Sequence, residues 1–136
     1  MAHYLLDACS LLAIFNGEPG AQKVLDLFEQ ARIGTIDLSM SIVQLLEVYY
    51  DRLYISGEHG ARARVESILA EPITIIETIT YPIMYEAGRF KTSYSISLAD
   101  AFLCATAKSL AATIVTKDDE LKAPEQAGEF SALWLT

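Results

Sequence analysis

Short apolar runs alternate along the chain with longer segments in which apolar residues recur at helical spacing. The short runs, rich in β-branched residues, predict strands at residues 3–6, 35–40, 73–77, 113–116 and 131–135. The longer segments predict helices over residues 9–15, 21–33, 59–70, 80–92 and 97–111, with a further one that opens at residue 41. This alternation predicts an α/β sandwich around a mostly parallel sheet of four to five strands, flanked by helices.

The helix that opens at residue 41 has a recognisable start signal. Ser41, followed three residues later by Gln44, has the form of a capping box, in which each side chain bonds the backbone of the other residue. Gly57 is expected to break this helix. Its apolar residues share one face, which we expect to be buried: Ile42, Leu45, Leu46, Tyr49 and Leu53.

Four carboxylates stand where α/β proteins build sites. Asp7 directly follows the first predicted strand, inside the apolar run HYLLDACSLLAIF, and Asp118 follows the fourth strand. Asp100 lies in the first turn of the helix over residues 97–111, and Glu47 lies past the first turn of its own helix. Ligands bind at the carboxyl ends of the strands in such sheets, so we expect these four side chains to converge there.

Each acid also has a purely structural interpretation. Asp7, Asp100 and Asp118 stand beside helix starts, where a lone aspartate commonly serves as an N-terminal cap. Asp119 offers the same possibility next to Asp118. Glu47 lies too deep in its helix for capping, and its alternative is an exposed place at the edge of the apolar face.

A pocket shared by four carboxylates is electrostatically unfavourable without a cation. Two like charges 4 Å apart repel by about 4 kcal/mol at an effective dielectric constant near 20. A divalent cation removes this repulsion, and oxygen ligands without Cys or His favour Mg²⁺ or Mn²⁺ over zinc. Such a site suits phosphodiester cleavage, because the ion polarises the phosphoryl oxygen and activates a water molecule.

Composition narrows the class of protein. The 136 residues are 52% hydrophobic and 21% charged, which fits one globular domain over residues 1–136. The net charge of −8 and the pI near 4.6 argue against a surface that binds nucleic acid by bulk positive charge. We expect no signal peptide, no membrane segment and a cytoplasmic location, with Cys9 and Cys104 as reduced thiols.

Other catalytic classes lack their motifs. The chain has no phosphate-binding G-x-x-x-x-G-K-[ST] loop, no G-x-G-x-x-G fingerprint and no G-x-S-x-G elbow. A phosphoacceptor receiver domain needs paired acids after the first strand, where Asp7 stands alone. A haloacid-dehalogenase phosphatase needs a second aspartate at the position of Cys9.

Four stretches together resemble PIN-domain ribonucleases, and within them the VapC-like toxins of toxin–antitoxin pairs. These stretches are LLDACSLLAIFNGEPGA (5–21), SIVQLLEVYY (41–50), SLADAFLCATAKSLAATIVTKDDEL (97–121) and SALWLT (131–136). The first and third are specific, whereas the second is weak alone. The resemblance spans the chain and implies the PIN fold, a three-layer sandwich with a central parallel sheet.

The resemblance also implies roles for individual residues. It matches the family's four metal-binding and catalytic acids, in chain order, to Asp7, Glu47, Asp100 and Asp118. It matches Ser10 and Thr116 to hydroxyl positions that support the acids or touch substrate. A cap is an equally good interpretation of Ser10. Asp119 and Glu120 are expected to be peripheral, although Glu120 matches a further acid of the family.

The activity implied by the resemblance is metal-dependent hydrolysis of RNA with Mg²⁺ or Mn²⁺, leaving a 5′-phosphate and a 3′-hydroxyl. The toxins of this family commonly form homodimers, and a separate antitoxin wraps the dimer with a basic C-terminal segment. Two alternatives remain at this point. One is a PIN-like binding module without useful catalysis, and the other is a housekeeping PIN nuclease with no antitoxin.

Overall fold

The computed structural model describes the whole chain, residues 1–136. The strands are β1 (Ala2–Leu6), β2 (Ile36–Ser41), β3 (Thr74–Ile76), β4 (Thr113–Thr116) and β5 (Ser131–Trp134). The helices are α1 (Ala8–Phe15), α2 (Ala21–Arg32), α3 (Ile42–Leu69), α4 (Tyr81–Ser93), α5 (Leu98–Leu110) and α6 (Lys122–Gln126). All five predicted strands are confirmed, whereas α6 was not predicted. None of the six helices has both the length and the hydrophobicity that a membrane span requires.

The five strands form one sheet in the order β3-β2-β1-β4-β5, and every neighbouring pair is parallel. The α/β fold class predicted from the sequence is therefore confirmed. Strand β1 lies at the centre, with β2 on one side and β4 on the other. The chain reverses its direction of winding between β1 and β4, and the carboxyl ends of such a pair are where doubly wound sheets bind ligands.

Successive residues of the central strands supply two separate cores. Leu6 and Val115 point into a cluster shared with α1, α2 and α3. Their neighbours Leu5 and Ile114 point to the opposite face, into a cluster shared with α4 and α5. Because side chains alternate along a strand, each central strand is apolar on both faces and helices cover both. The result is three layers, helix–sheet–helix.

Helix α3 changes direction at Gly57, whose φ of 73° and ψ of −178° are open almost only to glycine. The predicted break is therefore confirmed. The predicted buried face is partly wrong. Ile42 and Leu46 are exposed, and the face that packs inward carries Gln44, Leu45 and Val48. The sheet contacts a stripe rotated from the one that apolar spacing alone selects.

The start of α3 also differs from the predicted capping box. Ser41 does cap the helix, since its hydroxyl accepts a hydrogen bond from the amide of Val43. Gln44 does not return to Ser41. Its side chain instead reaches across to α1 and α5. At the start of α5, the Ser97 hydroxyl is the cap and accepts from the amide of Asp100, while the Ser97 amide bonds Glu120.

Candidate active site

Asp7 lies between the end of β1 and the start of α1, and 3% of it is exposed. It occupies the N-cap position, yet its side chain forms no capping bond with the helix. The carboxylate instead accepts a 2.7 Å hydrogen bond from the Thr116 hydroxyl and a weaker one from the Cys9 thiol, at 3.4 Å. The structural interpretation of Asp7 as a cap is therefore wrong, and its carboxylate faces the carboxyl edge of the sheet.

Two further aspartates meet Asp7 at this edge. Asp100 comes from the first turn of α5, and Asp118 follows β4. Carboxylate oxygens of Asp7, Asp100 and Asp118 all lie within 4.8 Å of one another. Asp118 also caps the short 3₁₀ turn Asp119–Leu121, since its Oδ1 accepts from the amide of Glu120. Asp118 is thus both a cap and a member of the cluster.

Thr116 joins two of these acids directly. Its buried hydroxyl donates to Asp7 and accepts from the amide of Asp118, at 3.0 Å. Because one oxygen makes both bonds, the Asp7 carboxylate and the backbone of Asp118 are held in a fixed relation. The parallel pairing of β1 with β4 places Thr116 there, since Leu6 pairs with Val115.

The three aspartates line an open pocket of about 500 Å³, and Glu47 from α3 forms part of its wall. Glu47 is partly buried and stands outside the compact group of three. The remaining lining consists of Ala8, Cys9, Leu12, Tyr50, Asp51, Ser97 and Glu120. The pocket therefore collects six carboxylates from segments that are far apart in the sequence.

Almost none of this negative charge is balanced by the protein. Asp51 pairs with Arg52 at 2.8 Å, whereas no lysine or arginine forms an ion pair with any of the other five acids. Lys117 is adjacent to Asp118 but binds Glu18, at 2.9 Å. The positive ends of α1 and α5, at Asp7 and Asp100, offset part of the repulsion.

The unbalanced negative charge and burial raise the pKa values of three of these acids. Burial raises the pKa of Asp7, and the hydrogen bond from Thr116 offsets part of that effect. Burial together with contact with Asp118 raises the pKa of Asp100 far above its usual range. Burial and repulsion from Asp7 and Asp118 raise the pKa of Glu47 to about 7. Each shift has the sign expected for carboxylates confined together without a cation.

A comparison of the sequence with protein-family profiles identifies the family. The family profile of the PIN domain matches residues 4–126. The chain belongs to the PIN-domain family. No curated protein matches the sequence of this PIN domain.

Solved structures with the same fold come from toxin–antitoxin complexes. VapBC2 from Rickettsia felis, bound to a DNA fragment from its promoter, superposes with a TM-score of 0.76 at 16% identity, covering 96% of this chain and 97% of that one. DNA-bound VapBC from Salmonella typhimurium gives a TM-score of 0.73 at 16% identity over 100% of both chains. VapBC-1 from nontypeable Haemophilus influenzae gives 0.73 at 16% identity over 98% of both. At such identities the likeness establishes the fold of this PIN domain.

The structure places the expected supporting and peripheral residues in different surroundings. Ser10 is fully buried, but its hydroxyl donates to the carbonyl of Val115 at 2.7 Å and contacts none of the acids. Glu120 is not peripheral, because it lines the pocket and accepts a hydrogen bond from the amide of Ser97 at 3.2 Å. Asp119 has an 85% exposed side chain that pairs with Lys122.

Sequence reasoning did not predict the hydrogen bonds of two further residues. Cys9 lies against Asp7 and Thr116, and burial raises the pKa of its thiol to about 12, so it acts as a neutral donor. The position of Cys9, two residues after Asp7, was the sequence feature that could have indicated this contact. Gln44 is the second, and its signal was a polar residue on the inward face of α3, three positions before Glu47.

Proposed function

We propose that this PIN domain is a metal-dependent endoribonuclease that hydrolyses RNA phosphodiester bonds. The observation that carries the proposal is the cluster of three aspartates within 4.8 Å, with no cationic side chain to balance it. A PIN domain implies a nuclease, and nucleases of this family use divalent metal ions. The choice of RNA over DNA rests on the resemblance to PIN-domain ribonucleases.

The donor set fits a hard divalent cation. Asp7, Asp100 and Asp118 offer only oxygen atoms, which suit Mg²⁺ or Mn²⁺. We assign these three residues as the ligands, with Glu47 as the fourth acid of the pocket wall. When bound by these residues, a divalent ion would supply Lewis-acid chemistry for phosphodiester hydrolysis, namely polarisation of a phosphodiester oxygen and activation of a water molecule. It also supplies the positive charge that a protein of net charge −8 lacks for drawing a phosphate in.

The residues around the cluster have defined tasks in this proposal. Thr116 orients the Asp7 carboxylate by donating to it, and the Cys9 thiol adds a second donor. Outer partners of this kind fix the direction in which a ligand atom points. Tyr50 from α3 and Ser97 from the start of α5 also line the pocket. The proposal places an RNA phosphate against the aspartates, within reach of these two side chains.

Cleavage of a structured RNA with and without Mg²⁺ tests the proposal. We expect wild-type protein to give products that carry 5′-phosphate ends, and both EDTA and the substitution Asp7→Asn to abolish them while the circular dichroism spectrum is unchanged. Asp119→Asn is the matched control, because Asp119 is exposed, lies two residues before the buried Leu121 and does not line the pocket. Cleavage that persists in Asp7→Asn and in EDTA refutes the nuclease proposal.

We further propose that the nuclease is the cytoplasmic toxin of a toxin–antitoxin pair. The fold likeness to chains of VapBC complexes supports this, as does the strongly acidic surface, because opposite potentials steer a basic partner segment onto it. Five unpaired carboxylates in the pocket are suitable acceptors for an arginine or lysine from such a segment.

Expression in a bacterial host tests the toxin assignment. We expect growth arrest with the wild-type gene, none with Asp7→Asn, and relief when the neighbouring gene is expressed as well. Growth that is unaffected by an active nuclease assigns the protein to the housekeeping nucleases instead. A folded protein that binds RNA without cleaving it is the result expected of a PIN-like binding module.

A homodimer is part of the same proposal. Large apolar side chains are exposed along α4 and at the start of α5, including Tyr81, Met84, Tyr85 and Leu98. Exposed apolar patches of this kind mark protein interfaces. Light scattering after size-exclusion chromatography is expected to give twice the 15.0 kDa chain mass, and a monomer at micromolar concentration contradicts it.

A further inference from the structure

Gln44 is a fully buried amide side chain on α3, close to the start of α1 and to the first turn of α5. It lies on the inward face of α3, three residues before Glu47, and none of its surface is exposed. Its Oε1 accepts a 2.8 Å hydrogen bond from the backbone amide of Ala8. Its Nε2 donates to the backbone carbonyl of Ala99 at 3.3 Å. One side chain therefore bonds three helices together.

The atoms that Gln44 bonds are next to two acids of the candidate site. Ala8 directly follows Asp7, and Ala99 directly precedes Asp100. The Ala8 amide, the first of α1, donates to Gln44, and the Asp7 side chain forms no capping bond with the helix. The Asp7 carboxylate lines the pocket and accepts from Thr116.

Packing alone does not account for this amide. The surrounding side chains on the inward face of α3, Leu45 and Val48, are apolar and almost fully buried. A polar group in such a place is unfavourable unless both its donor and its acceptor are bonded, as they are here. A leucine or methionine would fill a similar volume but would release the Ala8 amide and break the connection from α1 to α5.

We infer that Gln44 is a positioning residue for the metal site, holding the segments that carry Asp7 and Asp100 at the separation that a single ion requires. Thr116 connects Asp7 to Asp118 in the same way, so the two side chains together tie all three aspartates into one frame. Gln44 touches neither the pocket nor any of the acids directly. The inference rests on the proposed function, because it presupposes that the cluster binds a divalent ion.

Calorimetric titration with Mn²⁺ tests the inference on the full chain. Gln44→Met removes both hydrogen bonds at nearly constant volume, and Gln44→Asn keeps an amide that is one methylene too short to span both partners. We expect both variants to bind Mn²⁺ about 10- to 100-fold more weakly than wild type, the range typical of outer-shell partners of metal ligands. Thr106→Val is the matched control, because it removes a buried side-chain bond on α5, to the carbonyl of Phe102, away from the pocket. It should lose stability but bind Mn²⁺ as tightly as wild type.

A second measurement needs no substitution. In wild-type protein the amide of Ala8 should exchange slowly with solvent, as followed by nuclear magnetic resonance, and more slowly still with diamagnetic Mg²⁺. Rapid exchange of that amide in the metal-bound protein overturns the inference even if the Gln44 variants do not fold. Wild-type affinity in the Gln44 variants overturns it as well. Absence of Mn²⁺ binding by wild-type protein refutes the proposed metal site itself, and the two failures are thereby distinguishable.

Discussion

Replacing Asp100 by asparagine should make the metal-free protein more stable. Asp100 is 4% exposed, and burial together with contact with Asp118 raises the pKa of its carboxyl, so Asp100→Asn replaces a group whose charging is unfavourable by a neutral amide. The new amide has Asp7 and Asp118 as nearby acceptors. The substitution therefore relieves electrostatic repulsion among the three clustered aspartates.

The size of the effect follows from the geometry. A pair of charges 4.8 Å apart, the upper limit within the cluster, repels by roughly 3.5 kcal/mol at an effective dielectric constant near 20. The raised pKa of Asp100 lets the wild-type protein avoid part of this by binding a proton, and the pocket is open to solvent. We expect Asp100→Asn to gain about 1–3 kcal/mol at pH 8. With about 3.5 °C per kcal/mol for a chain of this length, the melting temperature should rise by about 4–10 °C.

The dependence on pH has a definite sign. A carboxyl group with a raised pKa in the folded state holds its proton more tightly there than in the unfolded chain. Wild-type protein therefore loses stability as the pH rises from the unfolded value towards the folded one, by at most about 1.4 kcal/mol per pH unit for this group. The asparagine variant does not lose stability in this way, because it has no carboxyl group at position 100. Its advantage should be small near pH 4 and largest at alkaline pH.

Urea denaturation in EDTA and in excess Mn²⁺ measures both effects. In EDTA the variant should be the more stable protein. In Mn²⁺ at about 100 times its dissociation constant, wild type should gain about 2.7 kcal/mol and the variant much less, so that the advantage is reduced or reversed. Asp119→Asn, on the exposed surface, should change neither the stability in EDTA nor the gain in stability from Mn²⁺. A variant that is less stable than wild type in EDTA at pH 8, or that gains as much from Mn²⁺, would refute the reasoning.

Three further changes test separate parts of the structure. Glu47→Gln should reduce the loss of metal-free stability between pH 5 and pH 8, because the Glu47 pKa of about 7 makes its charging in that interval unfavourable; urea midpoints at each pH measure this. Thr116→Val should cost about 1–3 kcal/mol and weaken Mn²⁺ binding about 10- to 100-fold, since Asp7 loses its O–H donor; calorimetry would show unchanged affinity if that bond does not orient the ligand. Gly57→Ala should cost about 1–3 kcal/mol through backbone strain while Mn²⁺ affinity stays at the wild-type value, and a shift in affinity would connect the kink to the site.

The fold was predictable because local patterns and long-range packing agree in most elements. Strands β1 and β4 are apolar on both faces, which favours a parallel sheet covered by helices. Asp7 and Asp118 were predictable as neighbours because parallel strands end at one edge. Helix α3 shows the limit of such reasoning. Its sequence carries overlapping apolar stripes, and only the position of the sheet decides that Val48 is buried and Leu46 exposed.

Partners of individual polar atoms were not predictable from local sequence. Ser10 and Thr116 are both hydroxyls beside the acids, yet one bonds a strand carbonyl and the other bonds Asp7. Each outcome depends on the register between strands β1 and β4, which local sequence does not specify. Gln44 was assigned to a local cap because its true partners are 36 and 55 residues away. Glu120 likewise meets the amide of Ser97 across 23 residues.

The pairing of β1 with β4 determines when, during synthesis, the cluster of aspartates can form. The bond between Asp7 and Thr116 joins residues 109 positions apart. A growing polypeptide that ends before α5 contains Asp7 and Glu47 but neither Asp100 nor Asp118, and its central strand lacks a neighbour on one side. Because a domain generally folds as a unit, the aspartate cluster assembles only near the completion of synthesis. In the proposed nuclease, an unfinished chain would lack the site and would spare the messenger on which it is being translated.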